Sequence, residues 1–286
     1  MNAEAITCLN GDYLPAARAC VPVTDRGFRF GDGVFETIRL VRGVPYQWEA
    51  HLARMAAGLA ALRITPPVVD WIEVARQVIA RNTARDGFLR IAVSRGSGSI
   101  GYVPDGLTQP TWVMEHLAAR PLPEYPYRLW LSPQSRAPQP YKLAQGVGST
   151  LALLEARDHG CDEALQLAVD GTLCSAAAAN LFWIVGSEVF TPPLESGCLA
   201  GTTRAALLRL AEGAIREQRA DIAVLNGADG VFLTNCRFGL WPVTRIQPLG
   251  LNFSAEHPSL LRLQQVLSAD IGHYYQSNKD TWNIYS

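Results

Sequence analysis

Pro138-Gln139-Pro140-Tyr141-Lys142-Leu143-Ala144-Gln145 is the stretch on which the interpretation of this fold depends. It carries Lys142, one of only two lysines among the 25 lysines and arginines of the chain. Arginine replaces lysine as a surface cation, but it cannot lose its proton to act as a nucleophilic amine. Lys142 is therefore either a solvated residue of a proline-rich loop or an amine that forms a Schiff base. Lys279, in a polar run near the end of the chain, is typical of the first case.

The composition is that of a globular protein without a charge bias. Its 286 residues suffice for two domains or one large one, 48% of them are hydrophobic, and the formal net charge is -1. This charge does not indicate a nucleic-acid or membrane partner, and no apolar run approaches the roughly 20 residues that span a bilayer. Residues 1–5 lack the features of a signal peptide, and the six cysteines form no Cys-x-x-Cys pair. We therefore expect a cytoplasmic protein with reduced thiols and no metal site.

The first part of the chain predicts a small domain of helices and strands. Residues 6–46 have the pattern of short strands and turns, and Gly31 and Gly33 indicate a tight backbone feature before a strand that begins at Val34. Apolar periodicity predicts two helices and two strands after it. These are the helices 47–63 and 68–85 and the strands 88–96 and 111–115.

Two polar residues of the first helix, His51 and Arg54, project from neighbouring positions on one side. This pattern favours an exposed polar face, and the alternative is a binding site.

Residues 118–127 hold three prolines and are the predicted linker, so the domains are predicted at 1–117 and 128–286. The second domain is predicted to contain hairpins around Asp170-Gly171 and Gly186-Ser187. Its other predicted elements are strands at 128–132 and 230–235 and helices at 147–159, from about 202, and from 254 onwards. The tail after this last helix carries no residues that suggest a chemical role.

Gly201-Thr202-Thr203-Arg204 opens one of these helices, and either Thr202 or Thr203 is expected as its N-cap. Backbone N–H groups and hydroxyls at a helix start form an anion site. Capping alone explains the two threonines equally well.

Taken together, these segments resemble the fold-type IV pyridoxal-phosphate enzymes. That family includes branched-chain aminotransferases, D-amino-acid aminotransferases and 4-amino-4-deoxychorismate lyase. The resemblance covers almost the whole chain, and within the family it is closest to the lyase. It rests on these segments, in this order: Phe30-Gly31-Asp32-Gly33-Val34-Phe35-Glu36-Thr37, His51-Leu52-Ala53-Arg54, Lys142, Asp162-Glu163-Ala164-Leu165, Ala179-Asn180-Leu181-Phe182, Thr191-Pro192-Pro193, Leu199-Ala200-Gly201-Thr202-Thr203-Arg204 and Phe232-Leu233-Thr234-Asn235.

The resemblance implies an α+β fold, with a small N-terminal α/β domain and a larger C-terminal domain of barrel-like β-structure with helices. It implies a pyridoxal 5'-phosphate cofactor between the domains and a homodimer that acts on a small amino substrate. Lys142 matches the cofactor lysine. The other cofactor-binding positions that it implies are Arg54, Ser175, Asn180, Thr202, Thr203, Asn235 and Cys236. The implied substrate-binding positions are Phe30, Arg95, Ile100 and Tyr102.

Three positions depart from the pattern of the family. Ser175 stands where the family has a glutamate that keeps the pyridine nitrogen protonated, and a hydroxyl cannot balance a pyridinium charge. Ile100 stands where the lyases tend to carry arginine. Gly146 is smaller than the polar or aromatic residue of many relatives.

Three functions remain open on this basis. The first is a lyase of folate synthesis that converts 4-amino-4-deoxychorismate into 4-aminobenzoate and pyruvate, where aromatisation compensates for a weaker electron sink. The second is an aminotransferase for branched-chain or D-amino acids, which the apolar Ile100 favours. The third is a catalytically degenerate relative that acts as a binding protein, although the retention of Lys142 argues against it.

Overall fold

The computed structural model describes residues 4–104, 109–122 and 124–282, and the chain divides into two compact units. Unit 1 comprises Met1–Pro121, Tyr141–Gln145 and Ile271–Ser286, and unit 2 comprises Leu122–Pro140 and Gly146–Asp270. The segment with Lys142 and the end of the chain thus group with unit 1, whereas the sequence pattern assigned both to the second domain. Residues 1–3 and Pro123 of the expected linker lie outside the described residues.

Unit 1 is built on an antiparallel sheet of six strands in the order β2-β1-β6-β5-β3-β4. Its elements are β1 (Ile6–Leu9), β2 (Asp12–Pro15), α1 (Arg26–Phe30), β3 (Gly33–Val41), β4 (Val44–Pro45), α2 (Trp48–Ala61), α3 (Trp71–Arg81), β5 (Gly87–Ser94) and β6 (Thr111–Leu117). The prediction of only strands and turns over residues 6–46 missed α1. This helix is a single turn, and its signal is the capping side chain of Asp25, which accepts a hydrogen bond from Gly27 N.

The sequence of β3 alternates between core and outer face, as expected for a strand with one buried side. Val34, Ile38 and Leu40 are at most 2% exposed and belong to the core of unit 1. Glu36 has the same phase, so its side chain also points into the core, where it is fully buried. A carboxylate in this position must be paired, because an isolated buried charge is strongly unfavourable.

The segment Tyr141–Gln145 is held against the start of β3 by backbone hydrogen bonds. Phe35 N donates to Lys142 O over 3.1 Å, and Ala144 N donates to Gly33 O over 2.9 Å. Leu143 forms an isolated bridge with Val34. The main chain around Lys142 is therefore fixed by the same strand that carries Glu36.

Residues 271–282, which include the tail, pack against α2, so a segment with no expected chemical role has a structural one. The Tyr274 hydroxyl donates to Glu49 over 2.9 Å and lies 3.1 Å from Trp48 N, which donates to it. Trp282 is 4% exposed, and its ring packs edge-on against that of Trp48. The tail thus completes the core of unit 1 at the helix that bears His51.

Unit 2 contains a closed β-barrel. Its elements are β7 (Tyr127–Leu131), α4 (Val147–Asp158), β8 (Glu163–Leu167), β9 (Leu173–Ala176), β10 (Asn180–Val185), β11 (Glu188–Thr191), α5 (Thr202–Leu210), β12 (Ile215–Glu217), β13 (Gly230–Asn235), β14 (Gly239–Gln247), β15 (Leu251–Asn252) and α6 (Pro258–Asn278), whose residues from Ile271 on group with unit 1. The strand path β10-β13-β14-β7-β8-β9 closes because β9 also pairs with β10. This closure confirms the predicted barrel-like structure.

Strand β10 of the barrel is apolar on both faces. Leu181, Phe182, Trp183 and Ile184 of β10 are successive residues with no exposed surface. Such continuous runs are expected where a strand is covered on both sides. None of the helices in the described ranges combines the length and the apolar character that crossing a bilayer requires.

Gly33→Ala tests whether the first residue of β3 must be a glycine. A Cβ at Gly33 would lie 2.5 Å from Val93 O and 2.9 Å from Ser94 Cα, both backbone atoms of the paired strand. We expect the substitution to lower the free energy of unfolding by about 2 kcal/mol, because the strands must separate locally. Gly101→Ala is the control, since no atom lies within 4 Å of a Cβ there. Equal urea midpoints for the two variants would contradict this account.

Candidate active site

Glu36 is the centre of a buried ionic cluster in unit 1. Its carboxylate accepts hydrogen bonds from Arg54 Nε over 2.8 Å and from Arg54 Nη2 over 2.6 Å. His51 Nδ1 lies 2.7 Å from Glu36 Oε2, and because a carboxylate only accepts, Nδ1 carries the proton. His51 and Arg54 lie three residues apart on α2, so both reach the same carboxylate. The interpretation of His51 as part of an exposed face is wrong, since it is 1% exposed.

Burial and pairing act in opposite directions on the charges of this cluster. Burial alone would raise the pKa of Glu36, but the hydrogen bonds from Arg54 and His51 outweigh it and lower that pKa. Burial also lowers the pKa of His51, and the neighbouring Glu36 opposes this only in part. The cluster at neutral pH is therefore an ionised Glu36–Arg54 pair with a neutral histidine.

Lys142 lies beside this cluster. Its Nζ is 4.3 Å from the centre of the Phe35 ring, a cation–π distance. The lysine charge also contributes to lowering the pKa of His51, which places the two side chains within electrostatic reach of each other. The structure thus brings together His51 and Arg54, which the sequence singled out, around a Glu36 that it did not, and Lys142 lies over the ring of the residue before Glu36.

Asp32 is a second paired carboxylate of the same motif. It accepts hydrogen bonds from Arg26 Nε over 2.8 Å and from Arg95 Nε over 2.7 Å. Burial alone would raise the pKa of Asp32, but the two arginines outweigh it and hold the pKa below its ordinary value. Arg95, predicted to bind substrate, is thus anchored to the residue that directly precedes β3.

Arg26 also shapes the loop after β5. It is 2% exposed and donates to the carbonyl oxygens of Ser99, Gly101 and Tyr102. The Phe30 and Tyr102 rings lie 5.5 Å apart between centroids. Ile100 is 81% and Tyr102 is 87% exposed, so their predicted contact with substrate stays a prediction.

Unit 2 brings three of the predicted cofactor residues to neighbouring strand ends. Ser175 of β9 is the direct pairing partner of Asn180 of β10, and both are buried. Asn180 is in turn paired with Thr234 of β13, next to Asn235. The Ser175 hydroxyl donates to Ala176 O over 3.0 Å.

The start of α5 is shaped by Asn180. Its Nδ2 donates to Leu199 O over 2.8 Å, and its Oδ1 lies 2.0 Å from where a Cβ of Gly201 would be. Gly201 is the N-cap, so the expectation of Thr202 or Thr203 at that position is wrong. Both threonines are instead buried in the first turn of α5. Because the N-cap is a glycine, no capping side chain accepts hydrogen bonds from the first N–H groups of the helix.

Asn235 orders the turn that follows β13. Its Oδ1 accepts hydrogen bonds from Arg237 N over 2.9 Å and from Phe238 N over 3.1 Å, and its Nδ2 donates to Ala178 O over 3.2 Å. Cys236, within this turn, is half-buried. The arrangement is that of a rigid polar turn.

Two buried glutamates, Glu36 and Glu163, were not among the predicted site residues. Glu36 was detectable because it is an acidic residue at one of the alternate positions of β3 that face the core. Burial raises the pKa of Glu163 to about 7, although the N–H groups of Ala164, Ala177 and Ala178 oppose the shift. The sequence feature that marks Glu163 is an acidic residue at the start of a strand whose remaining residues are alanine, leucine and glutamine.

Comparisons with known proteins agree with this architecture. A family model described as amino-transferase class IV matches residues 33–246. The chain is 30% identical over 255 residues to a putative branched-chain-amino-acid aminotransferase of Methanocaldococcus jannaschii, across 85% of this chain and 88% of the relative. It is 32% identical over 245 residues to an aminodeoxychorismate lyase of Vibrio harveyi, across 79% and 87%. The branched-chain amino acid aminotransferase structure of Escherichia coli matches with a TM-score of 0.86 and 25% identity, across 93% and 94% of the two chains. The expected fold-type IV architecture and pyridoxal-phosphate dependence are confirmed, and the relatives include both activities.

Glu36→Gln tests the buried ion pair. Removal of the charge takes from Arg54 the carboxylate that accepts two of its hydrogen bonds, and we expect a loss of about 3 kcal/mol in the free energy of unfolding at neutral pH. Glu73→Gln is the control, because Glu73 is half-exposed and its pair with Arg76 spans 4.0 Å; its effect should stay within about 0.5 kcal/mol.

The contribution of the Glu36–Arg54 ion pair to stability should also depend on pH. The lowered pKa of Glu36 means that its contribution is present above the unfolded-state value and is lost as the pH falls through the folded-state value. Glu36→Gln should therefore lose less stability on acidification than the native chain. Parallel acid-titration curves from urea unfolding would contradict this.

Proposed function

Since this chain belongs to the amino-transferase class IV family of pyridoxal-phosphate enzymes, we propose that it is a lyase that converts 4-amino-4-deoxychorismate into 4-aminobenzoate and pyruvate. The observation that carries the proposal is the buried hydroxyl of Ser175, at the position where the resemblance implies a glutamate. The lyase of Vibrio harveyi supports the same activity, at an identity similar to that of the aminotransferase relative.

The residues of each unit fit the cofactor chemically. Pyridoxal phosphate, when bound, supplies an aldehyde that condenses with an amine and a ring that accepts electrons from the adjacent carbon. We assign the amine to Lys142 and a phosphate contact to Arg54, whose guanidinium plane is fixed by Glu36. In unit 2, we assign the phosphate to the N–H groups and hydroxyls of Thr202 and Thr203 at the start of α5. The Asn180 side chain leaves no room for a Cβ at residue 201, so only glycine fits directly before this helix.

Lys142 has two roles in this proposal. Its Nζ would hold the cofactor through the aldehyde, and it would serve as the base for the proton on the substrate carbon that bears the nitrogen. The surrounding groups keep the local charge low, because His51 is neutral and Glu36 balances Arg54. The Phe35 ring holds Nζ in place.

Ser175 makes the lyase reaction more favourable than amino transfer. We assign Ser175 to the ring nitrogen, where a hydroxyl forms a hydrogen bond but cannot balance a positive charge. The ring then withdraws electrons less strongly. Expulsion of the enolpyruvyl group yields an aromatic product, whose formation supplies the driving force, whereas amino transfer has no such contribution.

A second candidate is an aminotransferase for branched-chain or D-amino acids. Ile100 favours it, because an apolar side chain that is 81% exposed replaces the arginine that the lyases tend to carry for an anionic substrate. An assay of amino transfer to 2-oxoglutarate or pyruvate distinguishes the aminotransferase from the lyase, which releases pyruvate.

For either function we propose that the enzyme works as a homodimer, with Asn235 and Cys236 near the phosphate. We propose that Phe30, Arg95 and Tyr102 lie near the substrate.

Lys142→Arg tests the assignment of the reactive amine. Arginine preserves the charge over Phe35 but cannot condense with an aldehyde. We expect the native chain to be yellow with pyridoxal phosphate, to bleach with borohydride and to carry the reduced cofactor at Lys142 in a peptide map. The variant should show none of this, and Lys279→Arg should behave like the native chain. Equal labelling of positions 142 and 279 would refute the assignment.

Ser175→Glu tests the choice of reaction. The new carboxylate can stabilise a protonated ring nitrogen, so the ratio of amino transfer to pyruvate release should rise several-fold in single-turnover experiments. Ser187→Glu, in an exposed turn of the same unit, is the control. An unchanged ratio in Ser175→Glu would remove the argument from the hydroxyl.

A further inference from the structure

Arg136 lies beside Ser175 in unit 2. Its backbone N donates to Leu167 O over 2.7 Å, so the segment that follows β7 runs along β8. Its side chain extends towards β9, where Nη1 donates to Ala176 O over 3.3 Å and to Ala177 O over 3.4 Å. The guanidinium is therefore held at the carbonyl groups that directly follow Ser175.

Arg136 and Ser175 share one acceptor. The Ser175 hydroxyl also donates to Ala176 O, over 3.0 Å. The two donors are thus within about 6 Å of each other, the combined length of the two hydrogen bonds. Arg136 Nε is buried and has no hydrogen-bond partner within the described parts of the chain.

We propose that Arg136 is a positioning residue that acts through Ser175 to keep the ring nitrogen of bound pyridoxal phosphate unprotonated. The inference rests on the proposed function, in which Ser175 is the partner of that nitrogen. Because Arg136 satisfies the Ala176 carbonyl, the Ser175 hydroxyl can turn and donate to the nitrogen without leaving a buried acceptor unpaired. The permanent guanidinium charge also disfavours a second positive charge nearby.

Among the described residues, the charge of Arg136 acts on titratable groups of neighbouring elements, which include Glu163 on β8, Cys174 on β9 and Cys198 before α5. Burial raises the pKa of Cys174 to about 11 and raises that of Cys198, so both thiols are neutral at physiological pH. Glu163, with a pKa of about 7, changes its charge in that range. Its contribution is therefore removed by repeating each measurement in a Glu163→Gln background.

The experiment follows the nitrogen-15 resonance of ring-labelled pyridoxal phosphate bound to the full chain as the pH is varied. Arg136→Gln removes the charge and keeps a hydrogen-bond donor, whereas Arg136→Lys keeps the charge. Arg216→Gln is the matched control, because that arginine is 66% exposed and paired with Glu188 at the surface of the same unit. The resonance reports protonation of the ring directly and does not depend on turnover.

In the native chain the resonance should stay at the position of a neutral pyridine down to about pH 6. Arg136→Gln should raise the midpoint of ring protonation by about one pH unit or more, since a charge at this distance is lost. Arg136→Lys and Arg216→Gln should match the native chain. Should Arg136→Gln fail to fold, Ser175→Ala carries the test, and its midpoint should also rise because the donated hydrogen bond is gone.

A native midpoint retained in Arg136→Gln, or in Ser175→Ala where that variant carries the test, would overturn the role of Arg136, and the proposed reaction would stand. A protonated ring in the native chain would also overturn it. Failure of the native chain to take up the labelled cofactor at Lys142 would instead refute the proposed function, and this inference with it.

Discussion

A single buried carboxylate is the constraint on which unit 1 depends. Glu36 points into the core because the alternation of β3 places it in phase with Ile38, and a core carboxylate requires counter-charges. The charged partner, Arg54, and the neutral partner, His51, both come from α2, and they fix the rotation of that helix against the sheet. The same strand holds the main chain of Lys142 through the amide of Phe35.

A second carboxylate, Asp32, repeats this arrangement directly before the first residue of β3. It is shared by Arg26 and Arg95, and Arg26 extends the network to three carbonyl groups of the loop after β5. The loop that carries Ile100 thus takes its shape from an arginine that sequence patterns did not mark. The tail reinforces the arrangement from the other side of α2, through Tyr274.

Unit 2 uses neutral polar groups where unit 1 uses ion pairs. Ser175, Asn180 and Asn235 meet through strand pairing and turn geometry, and their side chains satisfy backbone groups of the loops beside them. Arg136 is the cation held against these loops. A serine and an arginine at this place create a different electrostatic environment from that of a glutamate, and the proposed preference for the lyase reaction rests on this difference.

The sequence by itself determined the longer helices, the main strands and the family, because apolar periodicity, turn residues and ordered motifs are local properties of the chain. It also marked Lys142 and Arg54 as chemically distinct. Only the tertiary structure decided that residues 141–145 and the tail group with unit 1, that His51 is buried and neutral, and that Gly201 caps α5. These depend on which distant groups meet in three dimensions, since the protonation of a side chain is set by its burial and partners rather than by its neighbours in sequence.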